Sequence, residues 1–423
     1  MNKSRVKKRM STFEVNEEKK KALLIFPESE KQSDSERVRR EEELRSLAST
    51  MGVIPLDNSL FFTVREINSA TYLGKGQIET IEENIRFYSP DLLIFDISLS
   101  PRVARNLEEK LDICTIDREE VILQIFRDRA TTKEAVLQVS LARAEYSLPR
   151  LRRRWASLSQ QRGGVRGSKG EGEKQLELDR RKLEEQIAKL KKQLEEVKKV
   201  RNIQRKERIN SNNYSFAIVG YTNAGKSSLM NALSGASTLV ENKLFATLDT
   251  TTRQIILPER IKATISDTVG FVSNLPHNLV SAFSSTLEEA TFASCLIIVV
   301  DSSSPNVEEE YNTTLSVLSS LGCSDSEKII VFNKIDMPAS DEIGLSRLRV
   351  ALPSHIEISV KNGINLEELK NAMTEKAKKD LVDEFIHIKA EDSEKISELY
   401  KKYTVLSADY KEDEVIFHIE RFK

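Results

Sequence analysis

Short apolar runs alternate with charged amphipathic stretches over the first third of the chain, and this alternation predicts a small parallel α/β domain. Lys21 to Phe26 reads as a first strand; Leu60 to Val64, Asp91 to Phe95 and Ile113 to Ile116 read as the next three. Helical patterns lie between them: Ser33 to Met51, a stretch opening at Gly74-Lys75-Gly76-Gln77, Pro101 to Leu111 with proline first, and Arg118 to Asp128. Asp34 or Ser35 is the expected N-cap of the first helix. Gly74-Lys75-Gly76 lacks the second half of any nucleotide fingerprint, and a connector touching RNA backbone suits it as well as a ligand loop does.

From Lys133 the period changes. Leu137, Leu141, Ala144, Leu148, Leu151, Trp155 and Leu158 step by four and three. Leu176, Leu183, Ile187, Leu190, Leu194 and Val197 keep the same heptad register, with Arg180 in one seam position. Both are coiled-coil seams, and Pro149 is expected to kink the first. The glycine-rich stretch between them can close an antiparallel hairpin over residues 132–209. Its tip, residues 160–173, carries Arg162, Arg166 and Lys169 among glycines, a composition suited to RNA. A solvated loop is the plainer reading, and Glu171 and Glu173 favour it. Asn210 to Asn213 then reads as a linker.

The stretch Phe216-Ala217-Ile218-Val219-Gly220-Tyr221-Thr222-Asn223-Ala224-Gly225-Lys226-Ser227-Ser228-Leu229 joins a buried-strand pattern, a G-x-x-x-x-G-K-S turn and a helix start. Strand, glycine loop and helix form the context that a phosphate-binding loop requires. Gly220 and Gly225 let successive N–H groups face one anion, and the helix N-terminus adds its dipole. Lys226 is positioned for the β- and γ-phosphates, and the Ser227 hydroxyl for Mg²⁺.

Three later tetrapeptides narrow the nucleotide. Asp267-Thr268-Val269-Gly270 ends an apolar run; Asp267 suits the Mg²⁺ shell through water, and the Gly270 N–H suits the γ-phosphate. Asn333-Lys334-Ile335-Asp336 follows another run, and a carboxylate at Asp336 can accept from the guanine N1–H and 2-amino group. Ser359-Val360-Lys361 can place backbone N–H on guanine O6. Phe245-Ala246-Thr247-Leu248-Asp249 and the threonines after it read as a switch that orders over the γ-phosphate. Thr247 is the first choice for a second hydroxyl on Mg²⁺, Thr251 the alternative. The catalytic set is therefore Lys226, Thr247 and Gly270. Residues from about 214 to 378 resemble the TRAFAC-class GTPase domain, a doubly wound, mostly parallel sheet.

Phe271 occupies the position after Gly270, where many related GTPases keep a Gln that orients the attacking water. Phe cannot do this, so intrinsic hydrolysis is expected to be slow and the missing group to come from elsewhere. Asn223 offers one route, by holding K⁺ near the phosphates; a turn Asn bonded to backbone is the plainer reading.

The chain has 423 residues, 39% apolar and 31% charged, with net charge −1, enough for several globular cores. Residues 1–20 are basic and read as a disordered tail. Residues 21–131, 132–209, 214–379 and 380–423 read as N-terminal α/β domain, helical hairpin, GTPase domain and small α+β module. The three cysteines have no metal or redox spacing, and no apolar run reaches transmembrane length.

Gly74-Lys75-Gly76-Gln77-Ile78-Glu79, the stretch from Leu99 to Glu108, Leu148-Pro149-Arg150-Leu151 and the stretch from Gly172 to Arg181 are similar to the HflX family of translational GTPases. The switch stretch and Phe271 also fit; Thr250 departs where Pro is common, and Val360 where Ala is usual. The resemblance spans about residues 20 to 380. It implies a cytoplasmic GTPase; a fraction at the membrane periphery and a monomeric state are separate expectations for the chain. It further implies binding to the large ribosomal subunit, splitting of stalled or hibernating ribosomes with the helical arm reaching toward the peptidyl-transferase centre, and hydrolysis stimulated by the ribosome. Some family members are described as hydrolysing ATP through the N-terminal domain, but no second P-loop precedes residue 150. An RNA-modification or ribosome-assembly GTPase is the alternative. A membrane-linked signalling GTPase has no lipidation motif to support it.

Overall fold

The computed structural model describes residues 19–29, 32–161, 169–209, 213–235, 245, 250–272, 289–411 and 413–422, with backbone alone over 151–161, 169–176 and 202–209. The basic tail up to residue 18, the charged hairpin tip at 162–168, most of the linker and residues 246–249 of the switch lie outside the described residues.

The N-terminal domain is a four-stranded, all-parallel sheet in the order β2-β1-β3-β4. Its strands are β1 (Lys21–Glu28), β2 (Ile54–Thr63), β3 (Leu92–Phe95) and β4 (Cys114–Asp117). Helices α1 (Asp34–Thr50), α2 (Lys75–Tyr88), α3 (Pro101–Leu111) and α4 (Arg118–Arg129) connect them or follow. Strand alternation sends Ala22, Leu24 and Phe26 to one face, with α1 and α4, and Leu23 and Ile25 to the other, with α2 and α3. The N-cap of α1 is Ser33, one residue before the expected pair: its extended backbone lets the hydroxyl accept from the Glu36 N–H. Gly74 caps α2, and the Gln77 side chain accepts from the Gly74 N–H at 2.9 Å, so this glycine motif closes a helix end.

Helices α5 (Lys133–Gln161) and α6 (Lys169–Ile209) form the hairpin. Leu141, Ala144 and Leu190 are buried in its seam, flanked by Leu137, Leu183, Ile187 and Leu194. Helix α5 runs through Pro149 as one span. Arg180, in the seam register, turns to Glu184 at 2.8 Å on its own helix. The hairpin is fastened to the N-terminal domain where the Tyr146 hydroxyl donates to Asp117 at 2.8 Å and Arg150 reaches the same carboxylate at 2.9 Å.

The third unit is a six-stranded sheet in the order β10-β9-β8-β5-β7-β6. Its strands are β5 (Tyr214–Gly220), β6 (Thr251–Ile256), β7 (Lys262–Asp267), β8 (Cys295–Asp301), β9 (Glu327–Asn333) and β10 (Ile356–Glu357). All pair in parallel except β6, an antiparallel edge on β7. Helices α7 (Lys226–Ser234) and α10 (Leu366–Lys379) cover one face; α8 (Val307–Ser320) and α9 (Glu342–Ala351) cover the other. Chain order reverses around β5, so a crevice opens at the carboxyl ends of β5 and its neighbours. Thr251 begins β6 and is exposed there. Strands β11 (Leu381–Lys389), β12 (Thr404–Tyr410) and β13 (Glu414–Phe422) form an antiparallel sheet, with α11 (Ser393–Lys402), as the C-terminal module. Among the described residues no helix is long and apolar enough to cross a membrane.

Candidate functional site

A cavity of about 850 Å³ lies at the carboxyl edge of the six-stranded sheet. Its floor is the turn after β5. Gly220, Gly225 and Gly270 have no room for a side chain: a Cβ would fall 2.3 Å from the Val299 carbonyl, 2.3 Å from Asn333 and 2.7 Å from Thr222 respectively. At Gly270 the same Cβ would stand 2.9 Å from the Lys226 ammonium, so the missing side chain opens the space beside that lysine.

Lys226 starts α7, is buried, and donates to the Gly220 carbonyl at 3.1 Å and the Tyr221 carbonyl at 2.7 Å. Burial lowers its pKa to about 8, against the opposing pull of Asp267 and Glu310. The Ser227 hydroxyl donates to the Asp267 carboxylate at 2.6 Å. A hydroxyl and a carboxylate converge here beside the P-loop lysine, the hard-oxygen donor set that Mg²⁺ takes. The Thr222 hydroxyl is 94% buried in the cavity wall and has no hydrogen-bond partner among the described residues, which fits a site completed by a ligand. Asn223 is exposed in the same cavity with φ +64°, and Ser228 lines it one turn along α7.

The far end of the cavity is one bonded unit. Asn333 donates to the Ala224 carbonyl at 2.9 Å and accepts from the Val360 N–H at 3.1 Å. The Asp336 carboxylate accepts from the Ser359 hydroxyl at 2.6 Å, and this bond holds its pKa below the usual range. Lys334 pairs with Asp301 at 2.6 Å, and Lys361 lines the same end. Ile335 donates its N–H to Ile358 at 3.3 Å. The P-loop, Thr268 and Gly270, Asn333, Lys334 and Asp336, and Val360 and Lys361 therefore meet around one space, with Asp267 and Ser359 bonded to its lining; Val269 and Ile335 do not line it. Of the switch stretch only Phe245 is described; Ala246, Thr247, Leu248 and Asp249 are not.

Phe271 is not in the cavity. Its backbone pins the P-loop, donating to Gly220 at 3.1 Å and accepting from Thr222 at 2.8 Å, while its ring is buried in the core beneath the sheet.

Sequence reasoning missed one wall altogether. Arg39, Glu42, Glu43 and Ser46, all on α1 of the N-terminal domain, line the same cavity. The Tyr221 hydroxyl donates to Glu43 at 2.8 Å, and Glu43 pairs with Arg118 at 2.8 Å. Phe245, Val269 and Val272 are buried in the N-terminal domain's own core, where Phe245 meets Phe126 edge-on at 4.6 Å. The spacing of α1 marks its charged face but does not say what that face covers. Asp301, Ser304 and Glu310 were missed as well; Ser304 donates to Glu310 at 2.7 Å.

Family models match most of the chain between residues 39 and 334. The model described as GTP-binding GTPase N-terminal covers residues 39–127, GTP-binding GTPase Middle Region residues 129–208, and 50S ribosome-binding GTPase residues 215–334. The chain is 49% identical to the GTPase HflX of Treponema denticola over 384 residues, 85% of this chain and 98% of that one. It is 40% identical to the GTPase HflX of Akkermansia muciniphila over 416 residues, 95% of this chain and 94% of that one. A solved GTP-binding protein of Sulfolobus solfataricus in complex with GDP is 24% identical, covering 85% of this chain and 99% of its own, with a TM-score of 0.43.

Three variants test the site. Lys226→Ala is expected to weaken triphosphate binding or hydrolysis by at least ~10-fold, about 1.4 kcal/mol, in a fluorescent-nucleotide titration; an intact rate would remove the assignment. Asp336→Asn is expected to move preference from guanine toward xanthine nucleotides, read by competition binding. The third concerns pH. The Glu310 carboxyl is pushed up to about 7, chiefly by burial, with Asp301 and Glu43 adding to the rise and Ser304 and Lys334 opposing it. A raised carboxyl pKa contributes stability that is complete below the unfolded value of 4.5 and lost as pH rises through about 7. Glu310→Gln is expected to remove that slope, gaining at most about 3 kcal/mol on the parent above neutrality and nothing in acid. Thermal melts across the range read this directly, and parallel curves for the two proteins would refute it.

Proposed function

The chain belongs to the HflX family of GTPases, and from that premise we propose that it binds the large ribosomal subunit and dissociates stalled or hibernating ribosomes, hydrolysing GTP to GDP and phosphate in a ribosome-stimulated cycle. The observation that carries the reading is the arm. Its longer helix has 41 residues, a span of about 60 Å. At the root, Arg201 on α6 pairs with Glu134 on α5 of the same hairpin at 3.1 Å and with Glu289 of the GTPase domain at 2.9 Å.

At the nucleotide, the glycine turn and Lys226 hold the phosphates, and Asp336 reads guanine. Gly270 offers its N–H where the γ-phosphate ends, and Thr247 closes over it. Mg²⁺, held by Ser227 and Thr247 and by Asp267 through water, would supply charge neutralisation on the phosphates. Asn223, exposed in the same cavity, would hold K⁺ beside them. Phe271 contributes no hydrogen bond to a water, so hydrolysis depends on groups outside its side chain.

GTP turnover with and without large subunits, in K⁺ and in Na⁺, tests both claims. The expected outcome is strong stimulation by subunits, larger in K⁺. Stimulation by K⁺ with no subunit effect would favour an RNA-modification GTPase instead. Deleting residues 162–170 is expected to abolish splitting while sparing nucleotide binding; splitting that survives would show that the tip is not the wedge.

A further inference from the structure

We propose that Arg39, from the N-terminal domain, is a catalytic residue of the GTPase site, placing its guanidinium on the γ-phosphate and on the charge that develops there during hydrolysis. Arg39 is the only arginine among the described residues lining the nucleotide cavity. Its place along that cavity is fixed from two sides. It lies one helical turn before Glu43, which the Tyr221 hydroxyl of the P-loop holds at 2.8 Å, so both side chains leave the same face of α1 toward the phosphate end. On the other side its guanidinium pairs with Glu309 at 3.0 Å. Glu309 neighbours Glu310, whose charge acts on Lys226. The base end, at Asn333, Asp336 and Lys361, is lined by other elements.

The wall also carries acids, of which Asp301 pairs with Lys334 at 2.6 Å. Glu43 is neutralised by Arg118 at 2.8 Å. Glu310 accepts from Ser304 at 2.7 Å, and burial raises its pKa. Glu42 remains as a charge on the rim.

The chemistry needs such a cation. In hydrolysis a water oxygen forms the new bond to the γ-phosphorus, the bond to the bridging oxygen breaks, and the electron pair stays on GDP while the water's proton passes to phosphate. Arg39 moves no proton. Its planar fork offers two donors to phosphate oxygens whose charge rises in the transition state, as an arginine supplied by a neighbouring domain of the same chain does in other GTPases. Glu309 holds the guanidinium at the rim, and the γ-phosphate competes for it. GDP, lacking that group, does not.

The inference rests on GTP hydrolysis by the parent chain, whose absence would appear at once as no turnover by the parent. Single-turnover GTP hydrolysis and GDP affinity are measured on the full chain and on Arg39→Ala, Arg39→Lys and Glu309→Gln. Arg39→Ala is expected to slow hydrolysis at least ~10-fold with GDP affinity within about twofold of the parent, and Arg39→Lys not to restore it. Glu309→Gln, which removes the carboxylate that pairs with the guanidinium at 3.0 Å, is expected to match or exceed the parent rate. A structural role for the pair predicts the opposite pattern, with Arg39→Ala and Glu309→Gln slowing hydrolysis alike. That result, an unchanged rate in Arg39→Ala, or an equal loss of GTP and GDP affinity would each overturn the proposal.

Discussion

The arrangement of the molecule depends on one buried carboxylate, Glu43. It accepts from the Tyr221 hydroxyl at 2.8 Å and pairs with Arg118 at 2.8 Å; Arg118 continues to Asp96 at 2.6 Å, and Arg40 meets the same Asp96 at 2.8 Å. Burial works against the charge of Arg118, yet Glu43 and Asp96 outweigh it and hold its pKa above the ordinary value. Removing one partner from such a network leaves an uncompensated charge, at a cost of about 3–5 kcal/mol. The net worth of the intact network is far smaller, because desolvation consumes most of the Coulomb energy. Its role is thus geometric: it fixes which residue of α1 faces which residue of the P-loop.

Around that polar chain the packing is apolar and shared between domains. Phe245, Val269 and Val272 belong by sequence to the nucleotide switches and by burial to the core under α1 and α4. A close-packed core does not deform continuously; it holds one arrangement or exchanges it for another. Any rearrangement of these residues around a γ-phosphate is therefore also a repacking of the N-terminal domain. That domain in turn holds the root of the arm through Asp117, Tyr146 and Arg150, whose guanidinium lies 3.3 Å over the Tyr146 ring.

The legible part of this protein is what short sequence windows encode. A strand, a glycine turn and a helix start are contiguous, so the P-loop declared itself, and the base-reading turns stood at strand ends where their apolar runs stopped. The heptad seams could be read because Leu141, Ala144 and Leu190 recur at fixed spacing. Local capping was less legible: Ser33 won over Asp34 because an extended residue just outside the helix can turn its hydroxyl onto the Glu36 N–H. The domain interface was not legible at all. Glu43 and Tyr221 stand 178 residues apart, and no local pattern links them. An amphipathic charged helix such as α1 reads as solvated until its partner is known, and Phe245 inside a polar switch reads as a nucleotide contact rather than a core residue.

The burial of Phe271 follows from the same constraint. Its backbone clamps Gly220 and Thr222, and its ring is buried in the core that α8 and α9 cover. An amide side chain in that place would be buried without the water it is meant to orient, at a cost of about 1–3 kcal/mol for each unsatisfied group. The P-loop is held rigid by giving up a catalytic side chain at this position. Phe271 leaves the site to be completed by other groups, and α1 lines the facing wall of the same cavity. The cavity is accordingly an interdomain structure, its two walls joined by the bond between Tyr221 and Glu43.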